Sequence, residues 1–151
     1  METNQLRVPR LPGLLGYAGL IPFVALSAAL WLAPATYQVL INQALLLYAS
    51  LILAFIGAVH WGLAMLMTNM DYQRQLRFSV IPALVAWFAL FLPEILNYSV
   101  LIIAFALLCL FDTRMAKTGR APSWYPHLRS PLTAVVVTSL IVAQLQYLPF
   151  H

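Results

Sequence analysis

Charge is scarce in this sequence. Asp, Glu, Lys and Arg make up 8% of its 151 residues, and only four of them are acidic. An ordinary soluble domain carries about a quarter charged residues. Cysteine is scarcer still: Cys109 stands alone, which excludes an intrachain disulfide and leaves the redox compartment undetermined. No basic cluster lies on a solvated face, so no nucleic-acid partner is expected. The chain has no zinc-ligand spacing, no glycine-rich phosphate loop ending in Lys and Ser/Thr, and no nucleophile elbow. It has no repeat and no low-complexity tract. Neither metal nor cofactor is implied.

What is there is apolar. Hydrophobic residues make up 63% of the chain, and its mean hydropathy is +0.87. A soluble chain of this size has too large a polar exterior to hide that much apolar surface. The reading is an all-α membrane protein, a compact bundle of about five transmembrane helices forming a single domain. A span needs about 20 mainly apolar residues. The runs fall at about 11–32, 37–67, 78–92, 95–111 and 131–148. The third is short, so Arg77 and Glu94 are expected to snorkel to the interfaces. Ala33-Pro34-Ala35 parts the first two runs, and Pro93 parts the third from the fourth. Ser130 and Pro131 read as the N-cap and first residue of the last helix.

Lys and Arg bias sets orientation. With five spans, Arg7, Arg10, Arg74, Arg77, Arg114, Lys117, Arg120 and Arg129 all fall on one side, while Glu94 is the only formal charge on the other. That side is read as cytoplasmic (or mitochondrial matrix), placing the N-terminus in and the C-terminus out. Ala33-Pro34-Ala35 after an apolar run also resembles a signal-cleavage site. The run is longer than the roughly 7–15 residues of a signal core and holds internal Gly and Pro, so an uncleaved span is expected.

Several constellations stand out. Gly13, Gly16 and Gly19 precede Pro22, which removes a bond to the Ala18 carbonyl and should bend the first helix. Ala54, Gly57, Ala58 and Gly62 form a small-residue stripe expected to pack the second helix on the first. His60 is the only histidine inside a run, and at that depth an ionisable group faces the bundle with a partner. Tyr17, Trp124 and Tyr125 lie within its plausible reach. Met65, Met67 and Met70 lack a Cys or His at their level and read as packing, not a copper site. Asp71, Glu94 and Asp112 all sit at run ends, which argues against membrane carboxylates of an ion-coupled transporter. Asp112, closing the fourth run at the negative end of its helix dipole, should pair with Arg129 or Arg114. Around it, Trp124, Tyr125 and His127 read either as an interfacial belt or as a head-group pocket.

Four stretches carry a resemblance: residues 14–23 (LLGYAGLIPF), 55–62 (FIGAVHWG), 79–84 (SVIPAL), and Asp112 with 122–125 (PSWY) and 128–133 (LRSPLT). In this order they resemble the bacterial and mitochondrial membrane proteins grouped as domain of unknown function 3429, the transmembrane protein 69-like family. The resemblance implies a compact five-helix domain in a bacterial inner or mitochondrial inner membrane, and no reaction or cofactor. Its emphasis falls on Gly16, His60, Trp61, Pro82, Asp112, Trp124, Tyr125 and Arg129. The candidate cluster on the basic side is therefore Tyr17, His60, Trp61, Asp112, Arg114, Trp124, Tyr125 and Arg129.

Two roles follow. The first is a non-enzymatic accessory or assembly factor, or a subunit, working among membrane lipids with other membrane proteins or as a homo-oligomer. The second is a protein that binds, or acts on, an amphiphile such as a quinone or lipid through the cluster around His60. A channel ranks last, because no helix offers a polar face to line a pore.

Overall fold

The computed structural model describes residues 8–66, 71–119 and 122–148, and its described elements are all helices. They are α1 (Arg10–Ala18), α2 (Ile21–Leu32), α3 (Ala35–Met65), α4 (Asp71–Ala89), α5 (Glu94–Lys117) and α6 (Tyr125–Leu145). α1 and α2 are one span broken at Gly19 and Leu20, where Pro22 withholds a donor from the preceding turn. Tyr48 of α3 donates its hydroxyl to the Gly19 carbonyl at 2.9 Å, so the break is fastened to the bundle. Pro34 and Pro93 hold extended conformations at the starts of α3 and α5, and each makes a reversal of very few residues.

Four helices are long and apolar enough to cross a membrane: the broken first span, α3, α5 and α6. α4 is not among them, because its opening turns carry Gln73, Arg74, Gln75 and Arg77. α3 has 31 residues. At 1.5 Å per residue it measures about 46 Å, well beyond a hydrocarbon core of about 30 Å.

The helix ends differ from the hydropathy runs in a consistent way. α4 begins at Asp71, α5 continues to Lys117, and α6 begins at Tyr125. Hydropathy marks where lipid contact stops, whereas Arg, Lys, Gln and Met are good helix formers that carry a helix on into water. The sequence reading of Ser130 and Pro131 as a helix start is therefore corrected. Pro126 opens α6 and Pro131 lies inside it. The carbonyl that Pro131 leaves without its N–H belongs to His127, an exposed residue in the first turn, where water can serve it.

Side-chain contacts give the helix directions. Ser50 Oγ donates to the Ala86 carbonyl at 3.4 Å, and Gly57 lies against Ser79 and Pro82, so α3 and α4 run antiparallel. Gln144 Nε2 donates to Ser99 Oγ at 2.7 Å at one end of the α5–α6 pair, and Arg129 meets Asp112 at the other. α1 meets α6 at Gly16 and Leu132, while farther along Trp31 Nε1 donates to the Val142 carbonyl at 3.0 Å. The first span and α6 are thus parallel. Helices alternate in direction, and the starts of α1, α4 and α6 share one end of the bundle with the ends of α3 and α5.

Phe23 anchors the core between helices, edge-on to Tyr48 at 5.1 Å and to Phe105 at 6.2 Å. Leu30, Leu45, Leu53, Leu101 and Leu140 are fully buried around it. Meanwhile Leu47, Leu51 and Phe55 of α3 face outward. Both faces of the helix are apolar, as expected where lipid replaces water as solvent and close packing holds helices together. The inward face of α3 is marked instead by Asn42, Ala49, Ser50, Gly57, His60 and Ala64. Asn42 accepts the Tyr98 hydroxyl at 2.7 Å, a buried bond between α3 and α5 at the end opposite the basic residues.

Candidate functional site

Three buried side chains meet at the end of the bundle where α3 and α5 finish and α6 begins. Asp112 of α5 is fully buried (0% exposed) and His60 of α3 nearly so (2%). Arg129, one turn into α6, is 8% exposed. Arg129 Nε donates to Asp112 Oδ2 at 2.7 Å. His60 Nε2 lies 2.7 Å from Asp112 Oδ1, but the oxygen sits off the line of the ring N–H. That contact has the distance of an ion pair without the alignment of a hydrogen bond. Phe111 stands edge-on to the imidazole at 5.3 Å. A buried carboxylate needs a counter-charge and donors. Arg129 supplies both.

This arrangement revises two sequence expectations. Asp112 does not close its helix, because α5 runs on to Lys117. It is an acid inside the bundle, and its pairing is demanded by burial more than by the helix dipole. Its basic partner is Arg129, while Arg114 is exposed. The wider cluster is also divided. Tyr17 (54% exposed) and Trp61 (47%) lie on the outer surface, whereas His60 is buried. Trp124 and Tyr125 are half-buried, with rings 6.1 Å apart, and Tyr125 lies one turn before Arg129 within electrostatic reach of it and Asp112. His127 is exposed. Met65 is exposed, and Met67 and Met70 lie outside the described residues. No group of three His, Cys, Asp or Glu suited to a metal occurs among the described residues.

The small-residue stripe packs elsewhere than expected. A Cβ on Gly57 would stand 2.7 Å from the Ser79 carbonyl oxygen and 3.3 Å from Pro82 Cβ and Cγ, so Gly57 seats α4, not the first helix. Gly62 has nothing within 4 Å of such a Cβ, and Ala58 is exposed.

Beside His60 the bundle opens into a groove of about 450 Å³ between α4 and α5, floored by Leu53 and His60 of α3. Phe78, Ile81, Pro82 and Val85 form one wall, and Val100, Ile103, Ala104, Leu107 and Phe111 the other. Ile81, Ile103 and Leu107 are themselves exposed, so the groove faces the surrounding hydrocarbon. Among its described lining residues only His60 is polar. Its Nδ1 has no hydrogen-bond partner among the described residues, and neither does Gln75 Nε2 or Arg129 Nη2. Sequence reading missed the groove walls. An Ile or Phe facing lipid and one facing a cleft are indistinguishable in hydropathy. Gln75, buried on a helix whose opening turns look solvated, carried no signal either.

Residues 8–145 match the family described as Protein of unknown function (DUF3429). The chain is also similar to Transmembrane protein 69 of Xenopus tropicalis, at 34% identity over 130 residues. That alignment covers 84% of this chain and 51% of the relative, so the chain spans about half the relative's length. No solved structure matches. The family match takes in all six helical segments and every residue of the His60–Asp112–Arg129 cluster, and this multi-pass membrane protein belongs to the DUF3429 family.

Proposed function

We propose that this protein binds a membrane amphiphile in the groove between α4 and α5, with the polar end of the ligand at His60. The observation that carries this reading is the unpartnered Nδ1 of a buried histidine on the floor of an otherwise apolar groove open to lipid. A volume of about 450 Å³ lies within the roughly 300–1,000 Å³ of small-molecule sites. Nε2 has the Asp112 carboxylate 2.7 Å away, whereas Nδ1 has no partner among the described residues. That atom accepts from a ligand hydroxyl or, if the ring is protonated, donates to a carbonyl. Accessory or subunit roles have no comparable feature in their favour.

The test is native mass spectrometry and lipid extraction on protein purified in mild detergent. Wild type is expected to retain a stoichiometric amphiphile. Ile103→Trp, which fills the groove from an exposed position, should lose it, and His60→Gln should weaken it by about tenfold, the value of one or so kcal/mol for a lost buried hydrogen bond. Retention unchanged in Ile103→Trp, or a stoichiometric protein partner in place of any amphiphile, would sink the reading.

The same reading places the basic end, with His60, on the cytoplasmic or matrix side, supported by the one-sided Lys and Arg distribution. In a variant lacking Cys109, a cysteine introduced by Thr118→Cys should react with impermeant maleimide from that side only. Labelling from the opposite side alone would reverse the orientation.

A further inference from the structure

Resting on that groove, we infer that its occupant is an anionic phospholipid, with the phosphate held by Arg74 and Arg77. A second cavity, of about 460 Å³, is lined by Gln73, Arg74, Arg77, Phe78 and Ile81. Phe78 and Ile81 also wall the apolar groove, so the two spaces adjoin along the same face of α4. Arg74 and Arg77 are three apart on the helix and both exposed, so their heads project from one side. Arg74 lies over the Phe78 ring at 5.7 Å, which holds the guanidinium at the junction of the two spaces. No acidic side chain lines either cavity among the described residues.

Depth agrees with this assignment. The α3–α4 register set by Ser50 with Ala86 and Gly57 with Ser79 brings His60 level with Leu76 and Arg77. The polar end of the groove is thus the arginine end, while Val85 and Val100 lie one or more turns deeper. An amphiphile lying there has its head among Arg74, Arg77 and His60 and its chain running inward past Ile81. Guanidinium pairs match phosphate oxygens in geometry and charge. A neutral quinone ring would leave both arginines unused.

Full-length protein is to be reconstituted in nanodiscs of phosphatidylcholine with a minor fraction of phosphatidylglycerol, then released for native mass spectrometry. Wild type should retain one phosphatidylglycerol in preference to phosphatidylcholine by at least about tenfold, because two interfacial arginines favour an anionic head group. The double variant Arg74→Gln/Arg77→Gln should lose the preference, and Arg74→Lys/Arg77→Lys should keep most of it. Arg10→Gln/Lys117→Gln removes two charges at the same end away from the groove and should keep it fully. Equal retention of both lipids by wild type, an unchanged preference in the Arg→Gln pair, or an equal loss in the Arg10/Lys117 control would overturn the assignment. Those outcomes are separate from failure of the groove itself. If Ile103→Trp still blocks a neutral diacylglycerol or quinone while the Arg→Gln pair changes nothing, the groove stands and the anionic head group falls. If Ile103→Trp leaves phosphatidylglycerol bound, both readings fall.

Discussion

Asp112→Leu should destabilise the bundle by about 3–5 kcal/mol, the usual loss when one partner of a buried ion pair is removed. Asp112 is wholly enclosed, and its carboxylate accepts from Arg129 Nε at 2.7 Å and stands 2.7 Å from His60 Nε2. Without it the Arg129 guanidinium stays buried between α5 and α6 with no counter-charge. Asp112→Asn keeps the shape but turns one acceptor into a donor aimed at donors, so an intermediate loss is expected. The decisive comparison is Asp112→Leu/Arg129→Met. Replacing a buried pair by apolar residues of similar volume is often nearly neutral, so the double variant should recover most of the lost stability. Unfolding in mixed mild detergent and SDS, followed by tryptophan fluorescence, measures it. A loss below about 1 kcal/mol in Asp112→Leu, or a double variant no better than the single, would show that the pair is not what holds α5 to α6 at this end.

Gly57→Val should be the most damaging of the substitutions at Gly16, Gly57 and Gly62. The atom in its way is a backbone oxygen, Ser79 O, 2.7 Å from the new Cβ, with Pro82 at 3.3 Å. A carbonyl inside a helix cannot step aside alone, so α4 must move as a body. Overpacking of this kind costs about 1–3 kcal/mol. Gly57→Ala meets the same obstacle, partly offset by the better helix propensity of alanine, worth about 1 kcal/mol. Two other glycines serve as controls. Gly62→Ala meets nothing within 4 Å and should be neutral or slightly stabilising. Gly16→Ala meets Leu132 Cδ1 at 2.9 Å, the far end of a flexible side chain that can turn away. The predicted order of damage is Gly57→Val, Gly57→Ala, Gly16→Ala, Gly62→Ala. Because α4 also carries Phe78, Ile81 and Pro82 of the groove wall, the Gly57 variants should lose bound amphiphile as well. Equal stability of Gly57→Ala and Gly62→Ala would disprove the close α3–α4 approach.

The site was legible only in part. His60 stood out because ionisable residues are rare in apolar runs, Asp112 because it ended one at the unfavourable pole of a helix dipole, and Arg129 was one of two partners proposed for Asp112. The choice between Arg114 and Arg129 depended on where the helices end, which hydropathy does not report. Tyr17 was drawn into the cluster by depth, and Trp61 by depth and the family's emphasis. Depth follows from counting along a helix, but the direction a side chain faces depends on how that helix is rotated against its neighbours. Gly57 shows the same gap: a small residue announces a close approach without naming the helix that approaches.

By itself the sequence determined the solvent, the helical class and where the chain breaks between most helices, because each follows from local quantities. Lipid demands long apolar helices with their backbone bonds satisfied internally, and prolines at 22, 34 and 93 mark where the chain must break or turn. The tertiary structure alone decided which faces look inward, which partner Asp112 takes, and that α4 and α5 part beside His60 to leave a groove. In water, the hydrophobic effect would have written the inward face into the sequence as an apolar stripe. In hydrocarbon both faces are apolar, so rotation and partnership rest on shape and on a few polar contacts, and these exist only once the helices have met.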